Sequence, residues 1–72
     1  MARRVYYVVL HDGAWKVKHD DRHIGVYLTQ KAAIRGAVDL AHKDGSGGHD
    51  AQVLVQGSDH KFRTEWTYGH DP

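Results

Sequence analysis

The 72-residue chain contains no cysteine. Disulfide staples, thiolate metal ligands and a cysteine nucleophile are therefore excluded together. Its one proline is the last residue, Pro72, so every earlier segment is free to form helix or strand. The longest apolar run, residues 5–10 (VYYVVL), is broken at once by His11-Asp12-Gly13. Six residues are too few for a signal-peptide core or a membrane span, which leads us to expect a cytoplasmic protein with no membrane partner. Charge of one sign is missing too: ten Lys and Arg against nine Asp and Glu leave a formal charge of +1. Bulk charge thus selects no partner class.

What is present is the composition of an ordinary globular domain, 40% hydrophobic and 26% charged, with length for only one core, so residues 1–72 are read as a single small domain. A core of this size supplies little net stability. Without disulfides, the chain must rely on very good packing or on self-association. Seven histidines make its charge climb as pH falls through about 6.5.

Residues 5–10 are β-branched and aromatic, the pattern of a central strand covered on both faces. His11-Asp12-Gly13-Ala14 supplies a hairpin turn, and in Trp15-Lys16-Val17-Lys18 the alternation points Trp15 and Val17 inward. Residues 19–23 are polar and read as a loop, followed by a short extended segment, 24–28, of unassigned pairing. Thr29 is a good N-cap for a helix over 30–44, with Ala33, Ile34, Ala37, Val38, Leu40 and Ala41 at helical spacing and Gly45 placed to end it. Gly36, inside that helix, suits close approach to the sheet. Residues 51–56 and 61–66 form a second hairpin around Gly57-Ser58-Asp59-His60. The expected fold is α+β: a small antiparallel sheet of two β-hairpins with one α-helix packed on one face, in ββαββ order. Trp15, Val17, Ile34, Val38, Leu40 or Ala41, Val53, Val55 and Phe62 would form its core.

Gly13-Ala14-Trp15-Lys16-Val17-Lys18, Thr29-Gln30-Lys31-Ala32-Ala33-Ile34, Val53-Leu54-Val55-Gln56-Gly57-Ser58-Asp59 and Tyr68-Gly69-His70-Asp71-Pro72 occur in this order. Together they resemble a bacterial family of small uncharacterised proteins, domain of unknown function 2188. Two departures stand out. Lys31 and Ala32 replace an acidic residue early in the helix, and His60 follows Asp59 where the family pattern has Asp-Gly. The resemblance supports the ββαββ reading and implies no activity, cofactor or functional residue.

Imidazole next to carboxylate recurs at His11-Asp12, His19-Asp20, His49-Asp50 and His70-Asp71, and reversed at Asp59-His60. Each pair falls in a turn, loop or tail, where Asp is favoured for bonding nearby amides. Neighbours in extended chain also point opposite ways. His19 and His23 are the best metal candidates, but a site needs three or four convergent ligands. The glycine-rich stretch 45–48 follows a helix instead of preceding one, unlike a phosphate-binding loop. No catalytic residue, metal, cofactor or small-molecule substrate is assigned, and an enzyme is not expected. Two surface readings remain. Lys16, Lys18, Lys61 and Arg63, facing away from the helix, would form a nucleic-acid-binding sheet face. Tyr6, Val8 and Leu10 would form an apolar stripe on that same face, suited to a homodimer interface.

Overall fold

A computed structural model describes residues 3–19, 22–57 and 59–69. In chain order the elements are β1 (Arg3–His11), β2 (Ala14–His19), β3 (Arg22–Tyr27), α1 (Gln30–Ser46), β4 (Asp50–Gln56) and β5 (Phe62–Thr67). The strands form one five-stranded sheet in the order β3-β2-β1-β4-β5. Neighbours pair antiparallel except β1 and β4, which run parallel from Arg3↔Asp50 to Val8↔Val55.

This mixed sheet replaces the expected antiparallel ββαββ arrangement of two hairpins. The reason is the segment left unassigned in the sequence. Residues 22–27 turn back onto β2 as a third strand, so an odd number of strands precedes the helix. β3 runs in the direction of β1, α1 returns the chain, and β4 must then leave in the direction of β1. Docking on the free edge of β1 makes that pairing parallel, and the helix serves as the crossover that parallel neighbours require.

Thr29 caps α1 as expected. Its backbone is extended (φ −131°, ψ 155°) and its Oγ1 accepts from the Ala32 amide at 3.1 Å. The helix runs past Gly45 to Ser46 and is closed by Gly47, whose amide donates to the carbonyls of Lys43 and Asp44. Gly45 is instead a buried helical position, where a Cβ would collide with the Tyr68 ring. With Ala33, Ala37 and Ala41 it forms the buried stripe of α1, spaced i, i+4 along one helix face. Small residues there let the helix lie close to the strands, and Gly36 makes room for the Tyr27 ring of β3.

The core consists of that stripe with Tyr6, Val8, Val17, Ala51, Val53, Val55 and Trp66, and Trp15, Tyr27, Ile34 and Val38 pack against it. The largest completely buried side chains are valines: Val8, Val17 and Val53. Of the alternatives Leu40 and Ala41, Ala41 is the core residue and Leu40 sits at the solvent boundary; one expected core residue, Phe62, lies elsewhere at 42% exposure. A register irregularity opposite Val53 and Leu54 explains Phe62. Trp66 pairs with Val53 but Thr64 with Leu54, leaving Glu65 as an extra residue. The bulge puts Trp66 on the helix face and Thr64 and Phe62 on the other.

Tyr6 and Val8 require the larger correction, because they lie beneath α1 and not on the open face. Asp12 and Gly13 both have positive φ, 52° and 76°, the signature of a two-residue type I′ turn. That turn pairs His11 with Ala14, Leu10 with Trp15 and Val8 with Val17. Cross-strand partners share a face, so Tyr6, Val8 and Leu10 lie on the side of Trp15 and Val17. Tyr6 donates its hydroxyl proton to the Asp44 carboxylate and stacks on the His19 ring at 4.5 Å.

The two faces of β1 can be told apart by stability. Val8→Ala removes two fully buried methyl groups and should cost about 2 kcal/mol, whereas Val9→Ala on the open face should cost less than about 1 kcal/mol. Urea denaturation of both variants measures the difference, and equal costs would contradict the face assignment.

Candidate functional site

The face of the sheet opposite α1 has no covering element among the described residues. On β1 it carries Val5, Tyr7 and Val9, all partly buried by their neighbours. Register places Lys18 beside Tyr7 and Lys16 beside Val9 on one flank, and Gln52 beside Val5 and Leu54 beside Tyr7 on the other. Phe62 pairs with Gln56 on β4 and turns its ring edge-on to Tyr7, with centroids 5.3 Å apart and planes at 79°. Aromatic pairs favour this arrangement, which fixes both rings. The centre of the face is thus apolar and aromatic. Its polar border on the β4–β5 side includes Gln52, whose Nε2 donates to Thr67 Oγ1 at 3.4 Å.

The β2–β3 side carries the lysines, with the exposed Val26 of β3 beside Lys16. Lys16 Nζ donates to His11 Nδ1 at 3.3 Å, and the His11 and His23 rings lie 5.6 Å apart. The same Nδ1 lies 3.4 Å from Asp12 Oδ2.

Of the four basic residues assigned to this face, the structure brings together two. Lys16 and Lys18 are there. Lys61 is exposed in the β4–β5 connection, and Arg63 pairs with Val55 on the helix side of the Glu65 bulge. Arg63 reaches the Asp59 carboxylate at 3.3 Å, a contact that solvent exposure makes worth little. Of the three apolar interface candidates, Tyr6 and Val8 are internal, while Leu10 shares their side but is 54% exposed. The residues occupying the face assigned to them are Val5, Tyr7 and Val9. The spacing of a two-residue Asp-Gly turn was the sequence signal for this, because it pairs Leu10 with Trp15.

The His-Asp pairs do not assemble a metal centre among the described residues, where no group of three His, Asp or Glu side chains is arranged to hold an ion. His19 lies on the helix side against Tyr6, its Nδ1 3.1 Å from the Val5 carbonyl, whereas His23 lies with His11 on the other side. Asp20, Asp21 and the His70-Asp71 pair fall outside the described residues. Among the described residues no helix is long and apolar enough to cross a membrane.

The family model described as "Uncharacterized protein conserved in bacteria" (DUF2188) matches residues 6–68. The chain belongs to this family. No curated protein and no solved structure gives a significant match to it. Membership in DUF2188 carries no assigned activity, so the surface just described is the basis for any functional reading.

Zinc should leave the melting temperature of this DUF2188 protein unchanged, because a metal that binds only the folded state must raise it by mass action. Thermal melts with zinc and with a chelator check this. A zinc-dependent rise abolished by His11→Ala together with His23→Ala would establish a site on the open face.

Proposed function

We propose that the protein is a non-enzymatic interaction module that pairs with a second copy of itself through the open face of its sheet. The observation that carries this reading is the uncovered row Val5, Tyr7 and Val9, flanked by Leu54 and by Phe62 at 42% exposure. The opposite face is closed by α1 over a core whose largest fully buried side chains are three valines. Burying a second apolar surface adds the stabilisation that such a core is short of.

The dimensions agree. Five strands spaced about 4.8 Å apart, each about 20 Å long, present a footprint near 500 Å², and two copies bury roughly 1,000 Å², the lower bound of specific interfaces. An isologous pairing places the apolar centre on itself and leaves Lys16, Lys18 and Gln52 around it, the usual distribution in interfaces.

A second reading draws on the same residues: Tyr7 and Phe62 as stacking platforms for bases, with Lys16 and Lys18 on phosphates. The placement of Lys61 and Arg63 away from the face removes half of its cations. Two lysine contacts give a salt slope of only about −1.4 on single strands, which makes for weak binding at moderate salt.

Sedimentation should find the parent as a dimer and Tyr7→Lys or Val9→Lys as folded monomers, while Lys16→Glu with Lys18→Glu remains dimeric. Titration with labelled single-stranded and duplex oligonucleotides at low and moderate salt should show no tight binding. A monomeric parent whose oligonucleotide affinity is lost in the Lys16→Glu, Lys18→Glu variant would reverse the order of the two readings.

A further inference from the structure

Beside the first residue of α1, at the end of the sheet where β1 and β4 finish, is a cavity of about 560 Å³. Leu10 and Trp15 give it an apolar wall, Gln30, Gln56 and His60 supply polar groups, and Gly57 completes the lining. We propose that this cavity binds a neutral planar heterocycle carrying a hydrogen-bond donor and acceptor side by side, the edge chemistry of a purine base.

Size, charge and polar chemistry point the same way. The volume falls within the range of small-molecule sites, about 300–1,000 Å³. No Asp, Glu, Lys or Arg lines it, so a charged ligand would lose its hydration without gaining a partner. Trp15 offers a flat apolar surface, which matches a planar ring. Gln56 Oε1 already accepts from the Leu10 amide at 3.3 Å, leaving its NH₂ as a donor. The Gln30 amide and the His60 ring make no hydrogen bond among the described residues. A primary amide holds donor and acceptor in a fixed pair, the geometry that grips an adenine edge at two points.

The backbone under His60 adds to the case. The β4–β5 connection closes with Gly57 N donating to the Lys61 carbonyl at 2.8 Å and His60 N to the Gly57 carbonyl at 3.0 Å, and His60 has φ 65°. Hairpin loops of this kind end in a left-handed residue that is best served by glycine. Here an imidazole occupies the strained position and lines the cavity.

The test is an amide and indole NMR titration of the full chain with adenine, with benzoate and benzylamine as charged ring controls. Adenine should shift the Trp15 indole and the Gln30 and Gln56 side-chain amides with a dissociation constant below about 1 mM, leaving the Trp66 indole in place. Gln30→Ala should weaken binding about fivefold. His60→Gly relieves the turn and should weaken binding without lowering the melting temperature, which separates lost contact from lost fold. Absence of adenine-induced shifts, shifts confined to Tyr7 and Phe62, or equal binding of benzoate would each overturn the proposal. Leu10 and Trp15 lie on the helix side of the sheet and Gln30 opens the helix, so their shifts report on the cavity whether or not the protein self-associates; only Gln56, opposite Phe62, is shared with the open face.

Discussion

The type I′ turn at Asp12-Gly13 is the constraint on which the rest of the structure depends. With two residues between the strands, it sets Leu10 opposite Trp15 and Val8 opposite Val17. Side chains alternate strictly along a strand, so one register decides both faces of β1. Because β1 is central, its parity passes through parallel pairing to β4, where Tyr6 meets Val53 and Val8 meets Val55. The buried valines, the open row of Val5, Tyr7 and Val9, and the placement of Lys16 and Lys18 all follow from that turn.

The helix adapts to this sheet by being narrow. Its buried stripe of three alanines and Gly45 brings the backbone near the strands and leaves the bulk to be supplied from below by valines, Tyr6 and Trp66. Close approach favours backbone dispersion contacts and allows the Tyr27 ring to occupy the space at Gly36. The polar tip of Tyr6 is satisfied by Asp44 near the end of the helix, so the β1 tyrosine that faces the helix is buried without leaving its donor unmet. A hydrogen-bonded tyrosine ties helix to sheet in one orientation.

Several features were legible in the sequence because each depends on local chemistry. The Thr29 cap, the Asp-Gly turn, the helical spacing of Ala33, Ala37 and Ala41, and the room needed at Gly36 can be read without knowing what lies opposite. Residues 24–28 read as extended, but the pairing of the third strand was not legible, because Arg22–Tyr27 contains Arg, His and Gly and lacks the alternation of a half-buried strand. Missing it changed the parity of the chain and with it the direction of β4. The Phe62 error has a different origin: Phe62 and Trp66 share a face in any regular strand, and only the extra residue Glu65 separates them. The Tyr6 and Val8 error was avoidable, since the turn length already fixed their face. The cavity at Leu10 and Trp15 could not be seen at all, because it is bounded by residues from four separated parts of the chain.

Parallel pairing of β1 with β4 has a consequence for how the chain is made. Arg3 finds its partner at Asp50, and Val8 at Val55, so the central strand emerges from the ribosome long before its neighbour exists. The two N-terminal hairpins can close early, but they leave one edge of β1 open, with its amides and carbonyls exposed for as long as α1 and β4 are being synthesised. Such an edge is a template for pairing with another chain. Arg4, near the start of β1, carries a positive charge beside that edge in every nascent copy, which works against two unfinished chains joining before the fourth strand arrives.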